Sequence, residues 1–275
     1  MTPPNRIAAL VCIRNEQSYL EPLIAHLRAQ KVDLFVIDNG STDGSVDIAK
    51  AHLGHGVCDI AHLPYQGCFD LTAQLETKRE IISGLTHPWV LHQDADEILQ
   101  HSIMGRTLDD ATREADAAGA QAINFNEFVF LPRPDQDVSQ GGAYRELTRY
   151  YFFEPAPQRL MRLWRRDSGA DNVSRGGHKL AGDVTPHATS HVLRHYICLS
   201  QEHLNRKYVG RSFSARDLER RWHGNRLNLT ETELDLSRIP ENWLSHLSQP
   251  ESMTFDTSRP RKAHFWQPGA LDDPA

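Results

Sequence analysis

No run of eighteen apolar residues occurs in the 275-residue chain, so no segment reads as a membrane span. The start, Met1-Thr2-Pro3-Pro4-Asn5-Arg6, lacks the charged and apolar regions of a signal peptide and runs straight into a strand-like segment, which predicts a cytoplasmic protein, at most peripheral at the inner face of the membrane. Cysteine is sparse: Cys12, Cys58, Cys68 and Cys198 are scattered with no C-x-x-C pair. That excludes a paired-cysteine zinc site and a thioredoxin motif; three disulfide connectivities are formally open, but buried free thiols are expected. No G-x-G-x-x-G follows the first apolar run, and neither G-x-x-x-x-G-K-S/T nor G-x-S-x-G appears, which disfavours a dinucleotide oxidoreductase, a P-loop phosphotransferase and an α/β-type serine hydrolase. Positive charge is not in excess either. With 30 Lys and Arg against 36 Asp and Glu, the net charge is −6, which argues against a nucleic-acid partner.

What is present is ordinary globular composition, 39% hydrophobic and 24% charged, in a chain long enough for one large domain or two small ones. Fifteen histidines stand out, because histidine supplies metal ligands and proton carriers.

Strand and helix patterns alternate through the first half. Continuous apolar runs at Ile7–Ile13 and Leu34–Asp38 read as strands buried on both faces of a parallel sheet; Val57–Leu63 reads as a weaker third strand and Trp89–Gln93 as a fourth. Between them, helical spacing covers Leu20 to about Gln30, Ser45–His52 and Leu71 to about Gly84; a helix at Thr107–Ala118 leads to a fifth strand at Ala122–Phe130. The alternation predicts right-handed βαβ crossovers and an α/β fold with a mostly parallel central sheet. After Leu131 the pattern weakens: a loop through Gly142, an edge strand at Leu160–Trp164 with arginines beside it, a Gly-Gly-His turn at Gly176–His178, a strand at His191–Tyr196 and a helix capped by Ser200. The expected organisation is a domain over residues 1–225, in two halves at about 6–130 and 131–225, followed by a tail or lid at 226–275.

In parallel sheets, ligands bind outside the carboxyl ends of the strands. Polar clusters occupy those ends here: Arg14-Asn15-Glu16, Asp38-Asn39-Gly40-Ser41 and Asp94-Ala95-Asp96-Glu97. Two carboxylates flanking one small residue suit a hard divalent ion such as Mg²⁺ or Mn²⁺, which keeps open positions for a diphosphate. Asp38, at a strand end before a glycine turn, is placed to accept hydrogen bonds from a base or ribose, while Ser41, Thr42 and Asp43 cap the next helix. Cations and aromatics mix at Lys207–Arg211 and Arg220–Arg226, either to bind phosphates and sugar rings or, with Leu218 and Trp222 at i, i+4, to anchor a helix with solvated arginines.

Val11-Cys12-Ile13-Arg14-Asn15-Glu16, Val36 through Ser45 (V-I-D-N-G-S-T-D-G-S) and Val90 through Glu97 (V-L-H-Q-D-A-D-E) together resemble glycosyltransferase family 2, in the bacterial branch with K/R-N-E and D-N-G-S-T-D motifs. The resemblance is strong over about residues 6–100 and thinner to about 225. It implies a GT-A fold, a nucleotide-diphosphate sugar donor (UDP first, GDP second), a glycan or lipid-linked acceptor, and Mn²⁺ or Mg²⁺ at the D-x-D element. It further implies that Asp38 and Asn39, with Arg14, Asn15 and Glu16, contact the nucleotide. Cys12 would be the first-strand contact, Lys78 or Arg79 the basic residue before D-x-D, and Asp94 with Ala95 the contact to ribose or ion-bound water. Asp96 would ligate the ion, joined by His178 or His195. Many relatives carry a second aspartate where this chain has Asn39. The general base is expected at Asp183 or Glu127. The reading is an inverting, metal-dependent transferase in surface polysaccharide or glycoconjugate synthesis; the alternatives are a nucleotidyltransferase acting on sugar phosphates and a non-catalytic sugar-nucleotide binder.

Overall fold

The computed structural model describes residues 5–272. Strand β1 (Ile7–Ile13) is followed by α1 (Gln17–Ala29), β2 (Val32–Asp38), α2 (Ser45–Ala51), β3 (Val57–His62), α3 (Leu71–Gly84) and β4 (Trp89–Gln93). β3, β2, β1 and β4 lie side by side and parallel, as the apolar runs predict. β1 sits between β2 and β4, so right-handed crossovers leave it on opposite faces of the sheet. Ile7, Ala9, Val11 and Ile13 pack with Leu20, Leu23 and Leu27 of α1 in the main core. Val90 belongs to a smaller cluster on the other face, against which Ile82 of α3 packs. No described helix is long and apolar enough to cross a membrane. All four cysteines are free thiols, as expected, but only Cys198 is buried; Cys58 is exposed and the other two are half-buried.

Beyond β4 the chain departs from the simple alternation. A short turn leads into β5 (Glu97–Gln100), which leaves the first sheet for a second one. After α4 (Leu108–Ala117), which opens on a capping box between Thr107 and Asp110, the expected fifth strand divides in two. β6 (Ala122–Ile123) stays in the first sheet and β7 (Phe125–Phe130) enters the second. Asn124 stands at the break. Its Oδ1 accepts from the Leu160 amide at 2.9 Å and its Nδ2 donates to Ser190 Oγ at 3.0 Å, so a side chain replaces the interrupted ladder. β8 (Arg149–Phe153), R-Y-Y-F-F and buried throughout, is a strand not among those expected from the sequence.

β9 (Leu163–Arg165) is not an edge strand: it lies antiparallel between β4 and β6, since the two residues of β6 close the sheet beyond it. β10 (His191–His195) pairs parallel with β7 and antiparallel with β5. α5 (Gln201–Tyr208) follows, its amino end capped by Ser200, then α6 (Ala215–Glu219) and β11 (Ser245–His246) at the edge of the second sheet. Trp222 lies beyond α6 and Leu218 is exposed, so the i, i+4 anchor does not form. Residues after 226 wrap the second sheet: Leu234, Leu236, Trp243, Phe265 and Trp266 bury against Val129, Tyr151 and Tyr208.

One buried titratable group in this scaffold has a readable consequence. His26 on α1 lies with Nε2 2.8 Å from the Leu99 carbonyl of β5, and burial pushes its imidazole down to about 4. The unfolded chain binds that proton near pH 6.5 and the folded chain only near 4, so this contribution is complete above the higher value and is lost as pH falls between them. A plot of melting temperature against pH should therefore descend from about 6.5 towards 4. His26→Gln, which keeps a donor for Leu99, should flatten part of the descent; an unchanged slope would assign it to the other buried histidines.

Candidate active site

The carboxyl ends of β1 and β4 open into a cleft of about 960 Å³. Its floor is the turn between the two sheets, Asp94-Ala95-Asp96. Gln93 staples that turn: its side-chain amide donates to the carbonyls of Asp94 and Glu97, both at 2.8 Å. Tyr196, just past β10, donates its amide to the Asp96 carbonyl at 2.8 Å. The backbone of the D-x-D element is thus held from both sheets.

Each aspartate meets its own basic partners. Asp94 Oδ2 accepts from Arg162 at 2.9 Å, and Oδ1 lies 3.3 Å from His92 Nε2. Burial alone would raise the Asp94 carboxyl; Arg162 and His92 instead hold it well below the usual carboxylate range. His92 is pushed down to about 3 by burial, so it is the neutral imidazole, with Asn172 donating to its Nδ1 at 3.0 Å. Arg162 also reaches Glu97 Oε1 at 2.7 Å, with both side chains only 2% exposed. Burial lifts the Glu97 carboxyl to about 7 despite this pairing, and its Oε2 has no partner.

Asp96 Oδ2 receives Lys207 Nζ at 2.6 Å and faces His195 Nε2 at 3.3 Å. Burial would raise this carboxyl too, but Lys207 and His195 hold it far below its ordinary value. The other nitrogen of His195, Nδ1, lies 2.6 Å from Glu127 Oε1, while Glu127 Oε2 pairs with Arg159.

Above this floor, Arg14-Asn15-Glu16 and the 38–45 turn form one unit. Arg14 donates to the carbonyls of Asn39 (3.1 Å) and Gly40 (2.5 Å), its guanidinium 3.3 Å from the centre of the Tyr65 ring. Asn15 Oδ1 accepts from the Thr42 amide at 2.7 Å, and Ser45 Oγ accepts from the Glu16 amide at 2.8 Å. Asp38 does not reach the cleft: its carboxylate accepts from the amides of Ser41 and Gly40 and closes the turn. Gly40 has φ +72°, and a Cβ there would stand 3.0 Å from Tyr65 Cβ. Asn39 lines the cleft, although its Nδ2 is donated to the Leu63 carbonyl at 3.0 Å.

The other expected residues separate clearly. Cys12, Glu16 and Ala95 line the cleft with Asn15. Burial pushes the Cys12 thiol up to about 12, so it is the neutral thiol, and pushes the Glu16 carboxyl up to about 8. Lys78 lies buried below the floor, its Nζ donated to the Gln93 carbonyl at 3.1 Å, whereas Arg79 is exposed on α3 away from the cleft. His178 lines the cleft with an unpartnered Nδ1, on the Asp94 and Arg162 side rather than beside Asp96; burial pushes it well below its usual range. Glu127 lines the cleft. Asp183 does not; it is exposed outside it.

Lys207, Arg211 and Arg226 from the mixed cation-aromatic stretches all face the cleft. Tyr65, Phe69, Phe153 and His264 also line it, and no sequence pattern marks them. His264 arrives from the carboxyl-terminal wrap and is fixed by Tyr151, 2.7 Å from its Nδ1. In a chain of net charge −6, nine lysines and arginines line this cleft against five carboxylates.

Among the described residues no three His, Cys, Asp or Glu side chains group to hold a metal ion. Mg²⁺-type ions ordinarily take only one or two carboxylates and complete their shell with substrate phosphates and water. Asp96 and His195 fit that pattern. Their ligating atoms face each other, and Glu127 holds the far nitrogen of the histidine, the usual second contact of a metal-bound imidazole. Asp94, with both oxygens committed, fits it less well.

Residues 8–68 match the family model described as Glycosyl transferase family 2, the family resembled by the three motif stretches. The match covers β1 to β3 and the glycine turn. No curated protein matches. Among solved structures, the crystal structure of S. aureus TarS is similar over 70% of this chain and 36% of that one, at 14% identity and a TM-score of 0.46. S. aureus TarS 1-349 in complex with UDP is similar over 70% and 61%, at 12% identity and a TM-score of 0.45. This chain thus spans less than two thirds of the length of either.

Removing the buried cation at the cleft floor should be costly. Arg162→Met strands Glu97 and Asp94, and a loss of about 3–5 kcal/mol is expected in urea unfolding. Adding Glu97→Gln should restore part of it; equal stability of wild type and Arg162→Met would show that the pair contributes nothing.

Proposed function

We propose that this chain is a glycosyltransferase that transfers a sugar from a nucleoside-diphosphate donor to an acceptor hydroxyl. The observation that carries the reading is a convergence. The turn matched by the family model, the D-x-D element and a row of cations meet in one cleft at the carboxyl ends of β1 and β4. In this reading the base and ribose lie along Cys12, Asn39 and Tyr65, and the diphosphate lies above Asp96 among Lys207, Arg211 and Arg226. UDP is the first donor nucleotide to test and GDP the second, because Asn39 both donates and accepts.

Mn²⁺ or Mg²⁺ would be held by Asp96 and His195, where it would take up the negative charge that builds on the leaving diphosphate. The protein's own part is positioning and charge. Arg162 and His92 keep Asp94 ionised and still, and Glu127 orients His195. Lys207, Arg211 and Arg226 supply positive charge in a partly water-excluded cleft, where it acts more strongly than in bulk water. With both oxygens engaged, Glu127 is better suited to hold the imidazole than to take the acceptor proton. Inversion at the anomeric carbon, and a place in surface polysaccharide or glycoconjugate synthesis with a glycan or lipid-linked acceptor, follow from the family resemblance.

Thermal shift with UDP and GDP, with and without Mn²⁺, tests the donor site. A ligand at about 100 times its dissociation constant stabilises by about 2.7 kcal/mol. A Mn²⁺-dependent shift is expected in wild type and its loss in Asp96→Asn; no shift with any nucleotide would sink the proposal. A bound nucleotide without release of UDP or GDP from any nucleotide sugar would favour a non-catalytic binder.

Glu127 is tested separately. Glu127→Gln should weaken Mn²⁺ binding by about 10–100-fold with the fold intact, as loss of an outer partner of a ligating histidine does. Unchanged Mn²⁺ affinity would remove Glu127 from this role.

A further inference from the structure

Lys207 is the side chain that the functional reading has not fully used. It sits at the end of α5, whose Leu204 and Tyr208 are buried in the second cluster, so its backbone is fixed. Its Nζ contacts Asp96 Oδ2 at 2.6 Å and donates to the Ile197 carbonyl at 3.0 Å; the two side chains are 17% and 13% exposed. The carboxylate oxygen it occupies is the same one that faces His195 Nε2. The ammonium therefore occupies the Asp96 oxygen that a divalent ion joining Asp96 to His195 would take.

A divalent ion and an ammonium cannot share that oxygen. At about 3–4 Å in a partly buried site their repulsion amounts to several kcal/mol. The lysine head is carried on a flexible four-carbon stem, so it can leave Asp96 without movement of α5. The other carboxyl that acts on it is Glu16, which burial pushes up to about 8 and so makes a weaker partner than Asp96. The remaining anion in reach is the diphosphate held by the same ion.

We propose that Lys207 is a placeholder for the divalent ion. It neutralises Asp96 while the cleft is empty, and it moves to the diphosphate when the ion takes Asp96 and His195. Ion and nucleotide then depend on each other. Alone, the ion must displace a cation left with only the weaker partner; with the diphosphate present, the displaced cation gains another. The proposal rests on the donor-site reading above, and it assigns to one residue a coupling between two ligands.

The test is Mn²⁺ binding to the full chain, read from the electron paramagnetic resonance signal of free Mn²⁺, with and without UDP. Wild type should bind Mn²⁺ weakly alone and about ten-fold or more tighter with UDP, a coupling within the usual range. Lys207→Met should bind Mn²⁺ alone about ten-fold tighter than wild type, and UDP should then add little. Lys207→Gln keeps a polar head and serves as the second variant if the methionine does not fold. A variant that melts like wild type but binds Mn²⁺ no tighter overturns the proposal, as does wild-type Mn²⁺ affinity that UDP leaves unchanged. Failure of UDP to bind under any condition overturns the donor-site reading itself, which is a different result.

Discussion

A single guanidinium holds the centre of this molecule together. Arg162, buried just before β9, spans the turn between the two sheets by pairing with Asp94 on one side and Glu97 on the other. Its Nη1 also donates to the Gly177 carbonyl, tying in the Gly-Gly-His loop. A buried arginine is tolerable only when its donors meet charge or carbonyls, and here the acceptors come from the end of β4, the start of β5 and the loop after β9. The two sheets, the D-x-D turn and the far wall of the cleft therefore share one ion-pair network.

That network explains why neighbouring aspartates have different parts. Asp94 is fully engaged by Arg162 and His92, so it supports the turn. Asp96 points to the opposite side, where β10 and α5 bring His195 and Lys207. One carboxylate is tied into the central ion-pair network and the other faces Lys207 and His195. Gln93 aligns both from beneath, so two different surroundings meet within three residues.

The same division of labour runs through the glycine turn. Asp38, expected to contact a nucleoside, is consumed by the amides of Gly40 and Ser41, and Arg14 clamps the turn's carbonyls. A motif in sequence thus marks a backbone shape as much as a set of ligands. What it presents to the cleft is the edge formed by Cys12, Asn39 and Tyr65, only part of which belongs to the motif.

β1, β2 and β4 and the helices between the strands were legible because strands buried on both faces leave largely apolar runs, whereas β3, at the sheet edge with only Val57 buried, left a weaker signal. The location of D-x-D at a strand end was legible for the same reason. Beyond β4 only part was legible: α4, β10 and the Ser200-capped α5 stand where their local patterns put them, but the second sheet did not show. β5, β8 and the division of the fifth strand at Asn124 depend on a second sheet whose pairings are long-range, and the two-residue β6 has too few positions to show a period. In sequence Asp183 was the first nominee and Glu127 the alternate; only the path of the chain leaves the first in solvent and carries the second to His195. By itself the sequence determined which local elements form and which polar residues stand at their ends, since periodicity and turn chemistry are local properties. Tertiary structure alone decided that Lys207, 111 residues from Asp96, would occupy its carboxylate and that His264 would enter the cleft from the wrap. Charge pairing across such separations is set by the packing of distant elements, and no local pattern encodes it.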